Sequence, residues 1–146
     1  LPIFIIMKVK INAKFINELH LAVFKALQES YVNRVVDNTP FDTGLTAALW
    51  DFYPTAPFQY KLINTNGEIV LYLEKGTGLY GPHKKLIVPK NAKALRWYDR
   101  KTKTWAFAKS VKGIKPRKFV AGVIYDPTTK QTYYTRLRHH LEQIKS

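Results

Sequence analysis

The sequence predicts an α+β domain in which a long N-terminal helix and C-terminal helices pack against an antiparallel sheet. Three observations carry this expectation. Ala13 to Asp37 holds no Gly or Pro and repeats apolar residues at helical spacing. Short apolar runs separated by turn residues fill the middle of the chain, and a second helical pattern closes it. With 146 residues, the chain has the length of one domain, residues 1–146.

The elements follow in order. Met7, Val9 and Ile11 alternate with Lys8 and Lys10, the period of a half-buried strand. Leu1 to Ile6 are read as an N-terminal extension upstream of a start at Met7. They are too few to span a bilayer and lack the basic leader of a signal peptide, so no membrane association is expected. Asn12 is suited to cap the first helix, whose apolar positions are Phe15, Leu19, Ala22, Val23, Ala26, Leu27, Tyr31 and Val35. Asn38-Thr39-Pro40 stops that helix. Asp42, Thr43 and Gly44 form a structural turn that caps a short helix over 45–50, which Pro54 and Pro57 terminate.

Strands are expected at 59–64 and 68–73, joined as a hairpin by Thr65-Asn66-Gly67. Gly76, Thr77, Gly78 and Gly81 mark a mobile docking loop at the end of the second strand. Leu86-Ile87-Val88 is a short strand closed by Pro89. Leu95–Tyr98 and Thr104–Ala108 make a second hairpin, with its aromatics in the core on one face and its basic residues on the other. A basic link over 112–117 leads to a short helix over 118–125. A terminal helix over 128–144 carries Tyr133, Tyr134, Leu137, Leu141 and Ile144 near one face.

Charge divides the chain. Up to Glu74, six basic residues face seven acidic ones, yet from Lys75 to Lys118 fourteen basic residues stand against Asp99 alone. Nearly the whole net charge of +14 therefore sits in one loop-rich region, 75–118. Such a patch suits a polyanion or an acidic partner. The residues expected to contact DNA or a partner ring are Lys84, Lys85, Lys90, Lys93, Arg96, Arg100, Lys101, Lys103, Lys112, Lys115, Arg117 and Lys118.

Catalytic chemistry finds little footing. The absence of cysteine removes disulfides and thiolate metal sites. Gly76-x-Gly78-x-x-Gly81 has dinucleotide-fingerprint spacing, but Pro82 to Pro89 follow where a helix is required. The four histidines are scattered or adjacent on one helix and suggest no metal centre. No nucleophile has an evident base, so no enzyme, cofactor or metal is expected.

Four segments, in order, resemble the tail-completion (head–tail joining, tail-component) family of long-tailed phages. They are Thr39-Pro40-Phe41-Asp42-Thr43-Gly44, Leu71-Tyr72-Leu73-Glu74-Lys75-Gly76-Thr77-Gly78, Gly81-Pro82 through Pro89-Lys90-Asn91-Ala92-Lys93-Ala94-Leu95-Arg96-Trp97, and Val111 through Phe119. Two departures are that Leu45-Thr46 follows Gly44 and that Phe119-Val120-Ala121-Gly122 replaces the family's Phe-Leu-x-Pro. The resemblance implies a structural virion protein, made in the host cytoplasm, that forms a ring between head connector and tail tube around the DNA. Its partners would be copies of itself, six-fold symmetry expected first and twelve-fold next, and neighbouring connector, stopper or tail-terminator rings. Contact with duplex DNA would be transient and non-specific. The rival readings are a stand-alone basic nucleic-acid-binding module and a small RNA-cleaving toxin using His83.

Overall fold

The computed structural model describes residues 12–40 and 44–144. The class is α+β: a long N-terminal helical rod, two small antiparallel ribbons and C-terminal helices. The strand expected over 7–11, the extension before it, and the capping residues Asp42 and Thr43 lie outside the described residues.

The rod comprises α1 (Ala13–Leu27), a π-helical turn (Gln28–Val32) and α2 (Asn33–Asn38). Asn12 caps it as expected, its side-chain oxygen accepting from the Lys14 amide at 2.9 Å. In the π turn the Asn33 amide reaches back to the Gln28 carbonyl, closing a wider ring than an α-turn does. Small buried residues, Ala22, Ala26 and Ser30, let the last helix, α6 (Pro127–Ile144), approach the rod closely. The Ser30 hydroxyl donates to the Ala26 carbonyl at 2.5 Å, so its burial leaves no polar atom stranded. Tyr133, Leu137, Leu141 and Ile144 are half-buried, whereas Tyr134 turns outward and is exposed.

Gly44 adopts φ 79°, the left-handed conformation glycine takes without strain, and opens the short α3 (Leu45–Ala48). Trp50 does not continue that helix. It begins β1 (Trp50–Ala56), which pairs antiparallel with β2 (Gln59–Asn64). Pro54 is accommodated because this is a two-stranded ribbon, with a register shift between Pro54 and Ala56. The ribbon lies on the rod through aromatics: Phe24 stacks on Phe52 at 4.7 Å, and Tyr60 stacks on His20 at 5.3 Å. His20 is structural, its Nδ1 accepting the Phe58 amide at 3.2 Å. Trp50 Nε1 donates to the Thr39 hydroxyl at 2.9 Å, and that hydroxyl donates to the Val35 carbonyl at 2.8 Å.

The hairpin expected around Asn66-Gly67 is overturned. Residues 67–75 form a helix, α4 (Gly67–Lys75). The Asn64 side chain receives the Asn66 amide at 2.9 Å and donates to the Thr46 carbonyl at 2.7 Å, so the chain turns away after β2. Glu68 in the first turn and Lys75 in the last complement the helix dipole, and Val70 and Leu73 point inward at i,i+3 spacing. The strand expected at 86–88 reduces to one bridge between Ile87 and Val111. β3 (Leu95–Asp99) and β4 (Thr104–Ala108) form the second ribbon as expected, so the single sheet is split into two. The short α5 (Phe119–Ile124) also matches expectation. Its Phe119 and Val123 join Val32 and Val35 among the buried apolar residues.

Candidate nucleic-acid and partner interface

The glycine loop is stitched down. The Thr77 amide donates to the Ile114 carbonyl at 2.9 Å, and the Ile114 amide returns to Thr77 Oγ1 at 3.0 Å. The Leu79 amide donates to the Lys112 carbonyl at 2.8 Å, and the Arg117 amide donates to the Leu73 carbonyl at 2.8 Å. The expectation of a mobile loop is therefore corrected. Gly76 and Gly78 take φ of 76° and 60°, and a Cβ on either would collide with backbone of the 112–116 strap. At Gly76 it would stand 2.8 Å from the Ile114 carbonyl oxygen, and at Gly81 2.9 Å from the Gly76 carbonyl oxygen. These glycines allow two chain segments to cross in contact.

That crossing gathers lysines from separate stretches of sequence. Lys75, Lys85 and Lys90 rim a groove of about 860 Å³ whose walls include Leu71, Tyr72, Leu86 and Ile114. Among the described residues no carboxylate lines it, and His83 stands at its edge. Lys115 Nζ sits 5.6 Å from the Tyr80 ring centroid on the strap beside it. Arg117 and Lys118 line a different recess of about 630 Å³ with Arg34 and Asp126.

The second ribbon presents the remaining cluster. The register pairs Arg96 with Phe107 and Tyr98 with Trp105, placing these four side chains on one face. The face is exposed: Trp105 is 56% and Phe107 64% accessible. The core role expected for these aromatics is corrected accordingly. Arg96 stacks over Trp105 at 4.6 Å, and Tyr98 meets Trp105 edge-on at 5.6 Å. Arg100, Lys101 and Lys103 occupy the tip. The Asp99 carboxylate is turned into that tip, accepting the Lys101 amide at 2.9 Å. This bond, reinforced by Thr102, holds its pKa below the ordinary value.

All twelve basic residues singled out by sequence are exposed. The structure brings Lys85 and Lys90 to the groove, Arg96, Arg100, Lys101 and Lys103 to the ribbon, and Arg117 and Lys118 to the other recess. Lys84 and Lys93 fall in exposed turns, and Lys112 and Lys115 lie on the strap. Sequence reasoning missed the apolar wall. Reading 68–73 as a strand hid the fact that Leu71, Tyr72 and Lys75 share one side of a helix.

Among the described residues no group of acidic and histidine side chains could hold a metal, and no helix is long and apolar enough to cross a membrane. No family model, curated protein or solved structure matches the chain.

Proposed function

We propose that the chain is a structural subunit of a tailed-phage neck, assembling as a ring that joins head connector to tail tube around the DNA. The observation that carries this reading is the openness of the subunit. A compact monomer of 16.9 kDa exposes about 7,700 Å²; this chain exposes 11,778 Å². Even an unfolded stretch as long as the undescribed residues would supply only roughly 2,700 Å² of the difference. Among the described residues six hydrophobic side chains are buried, whereas eighteen large ones are exposed. Apolar surface on that scale is characteristic of chains that complete their burial by association. Three of the four phage-like segments, 71–78, 81–97 and 111–119, supply the groove, the glycine crossing and the strap, which supports the same assignment. Light scattering and sedimentation across a concentration series test it. A closed symmetric oligomer is expected, six-fold first and twelve-fold next. A persistent monomer, alone and with connector or tail-terminator proteins, overturns it.

The second reading, a stand-alone nucleic-acid-binding module, is favoured by one observation, the exposed aromatic and cationic face of the β3–β4 ribbon. Rings beside guanidinium and ammonium groups suit base stacking with phosphate contact.

A further inference from the structure

We propose that the groove walled by Leu71, Tyr72, Leu86 and Ile114 docks an acidic, apolar peptide segment of a neighbouring protein. Leu71 and Tyr72 are 47% accessible, Leu86 48% and Ile114 41%, four apolar side chains around one concavity. Three lysines rim it and, among the described residues, no carboxylate does. An occupant must therefore bring apolar side chains for the walls and negative charge for the rim.

The backbone points to a peptide. Ile87 spends its amide and carbonyl on Val111, at 2.9 and 3.0 Å. The flanking peptide groups of Leu86 and Val88 have no partner among the described residues, so one side of this extended segment remains able to pair with an added strand. The groove is also preorganised. The Thr77–Ile114 and Leu79–Lys112 bonds fix its floor before anything binds, which lowers the ordering cost of association. Duplex DNA is the weaker fit, because phosphates would satisfy the lysines while leaving four apolar walls unused. The same region of a second copy is weaker still, since residues 75–118 carry one acidic residue, already turned into its own hairpin. The groove is built within one chain, so this inference stands independently of ring assembly.

The test uses the full chain and labelled synthetic peptides of leucine alternating with glutamate, with companions in which glutamine or lysine replaces glutamate. Fluorescence anisotropy should rank them glutamate first, glutamine about tenfold weaker, lysine undetectable. The double variant Lys85→Glu with Lys90→Glu should release the glutamate peptide and bind the lysine peptide. Leu71→Ser should weaken binding with the melting temperature unchanged, because that side chain is exposed. Failure of every glutamate peptide, or a double variant that keeps its preference for glutamate, overturns the proposal. So does displacement of the peptide by duplex DNA that binds more tightly through the same lysines. Loss of self-association in Leu71→Ser, without peptide binding by the wild-type chain, assigns the groove to a second copy instead.

Discussion

Glu74 holds the Val120 amide at 3.0 Å across 46 positions of sequence, and its other carboxylate oxygen takes the Ala121 amide at 2.9 Å. The last acidic residue before the basic region thereby caps α5, which has no side-chain cap of its own. Replacing Glu74 with Ala strands two first-turn amides and leaves α5 attached mainly through Phe119 and Val123. The expected loss is about 1–3 kcal/mol by urea denaturation, with Glu74→Gln intermediate, since it retains one acceptor without charge. An unchanged midpoint for Glu74→Ala would show that the capping carboxylate contributes nothing.

Two glycines should respond in opposite directions. Gly78 has φ 60° and its missing Cβ faces the Lys112 carbonyl, so Gly78→Ala should cost about 1–3 kcal/mol and loosen the strap. Gly122 lies within α5 with nothing near its missing Cβ, so Gly122→Ala should stabilise by about 0.5–1 kcal/mol. Thermal melts of the pair would check both signs.

Three lysines of the basic region, Lys84, Lys103 and Lys118, hold φ of 48°, 54° and 47°. That conformation costs an L-residue about 1–2 kcal/mol. Lys103→Gly and Lys118→Gly should each raise the unfolding free energy, by up to about 1 kcal/mol, despite removal of a side chain. A fall in stability at Lys118 would mean that its aliphatic stem contributes packing that outweighs the strain.

Acid and strong alkali should each lower stability, through different groups. Asp126 and Asp99 both titrate below their ordinary value of 3.8. For Asp126 the Thr128 amide is the leading cause and Arg34 adds to it. Their contribution is complete above that value and disappears as pH falls through the lower native values. Tyr60 and Tyr133 are raised above 10.0 by burial, so stability should fall as pH climbs past 10.0. Melting temperature against pH should drop below about 4 and above about 10, and Asp126→Asn should blunt the acid limb.

Nucleic-acid affinity separates the ribbon from the groove. If the ribbon contacts nucleic acid, reversing Arg100, Lys101 and Lys103 to Glu should shrink the log–log salt slope by about one unit for each phosphate no longer neutralised. Trp105→Ala and Phe107→Ala should weaken single-stranded DNA at constant slope, at about 1–3 kcal/mol per stacked base. Stability should hardly change, since both rings are exposed. Variants that bind like wild type would remove the nucleic-acid reading of this face.

Where local signals agreed with one another, the fold was legible in the sequence. The rod, the β3–β4 register and the terminal helix each had one period and clear stops. Asn66-Gly67 misled because a hairpin dipeptide fits helix entry equally well when Glu68 follows and the apolar residues allow both periods. β1 was hidden by Pro54, which a two-stranded ribbon tolerates and a wide sheet does not. The basic residues of the candidate interface were legible as composition. Their sorting was not, because it depends on a crossing between residues 76–79 and 112–114 that no local pattern announces. Glycine spacing marked backbone shapes that other residues cannot easily take, as Gly76 and Gly78 show, but it did not announce the close contact with the strap that stitches the loop down.

The π turn at Gln28–Val32 sets where this chain tolerates a change in length. The buried positions of the rod are Ala22, Ala26, Ser30, Val32, Val35 and Thr39. The four-residue step from Ala22 to Ala26 to Ser30, and from Val35 to Thr39, widens to five between Ser30 and Val35, at the turn. One residue is surplus to an α-helix there. Deleting the exposed Asn33, whose amide closes the wide turn, would let the rod close as regular α-helix, with the faces before and after it keeping their alignment. The same deletion at Ala22 would rotate everything downstream by roughly 100° and turn Val35 away from α5. The rod thus has one place where the gene can shed a codon without disturbing what the helix holds together.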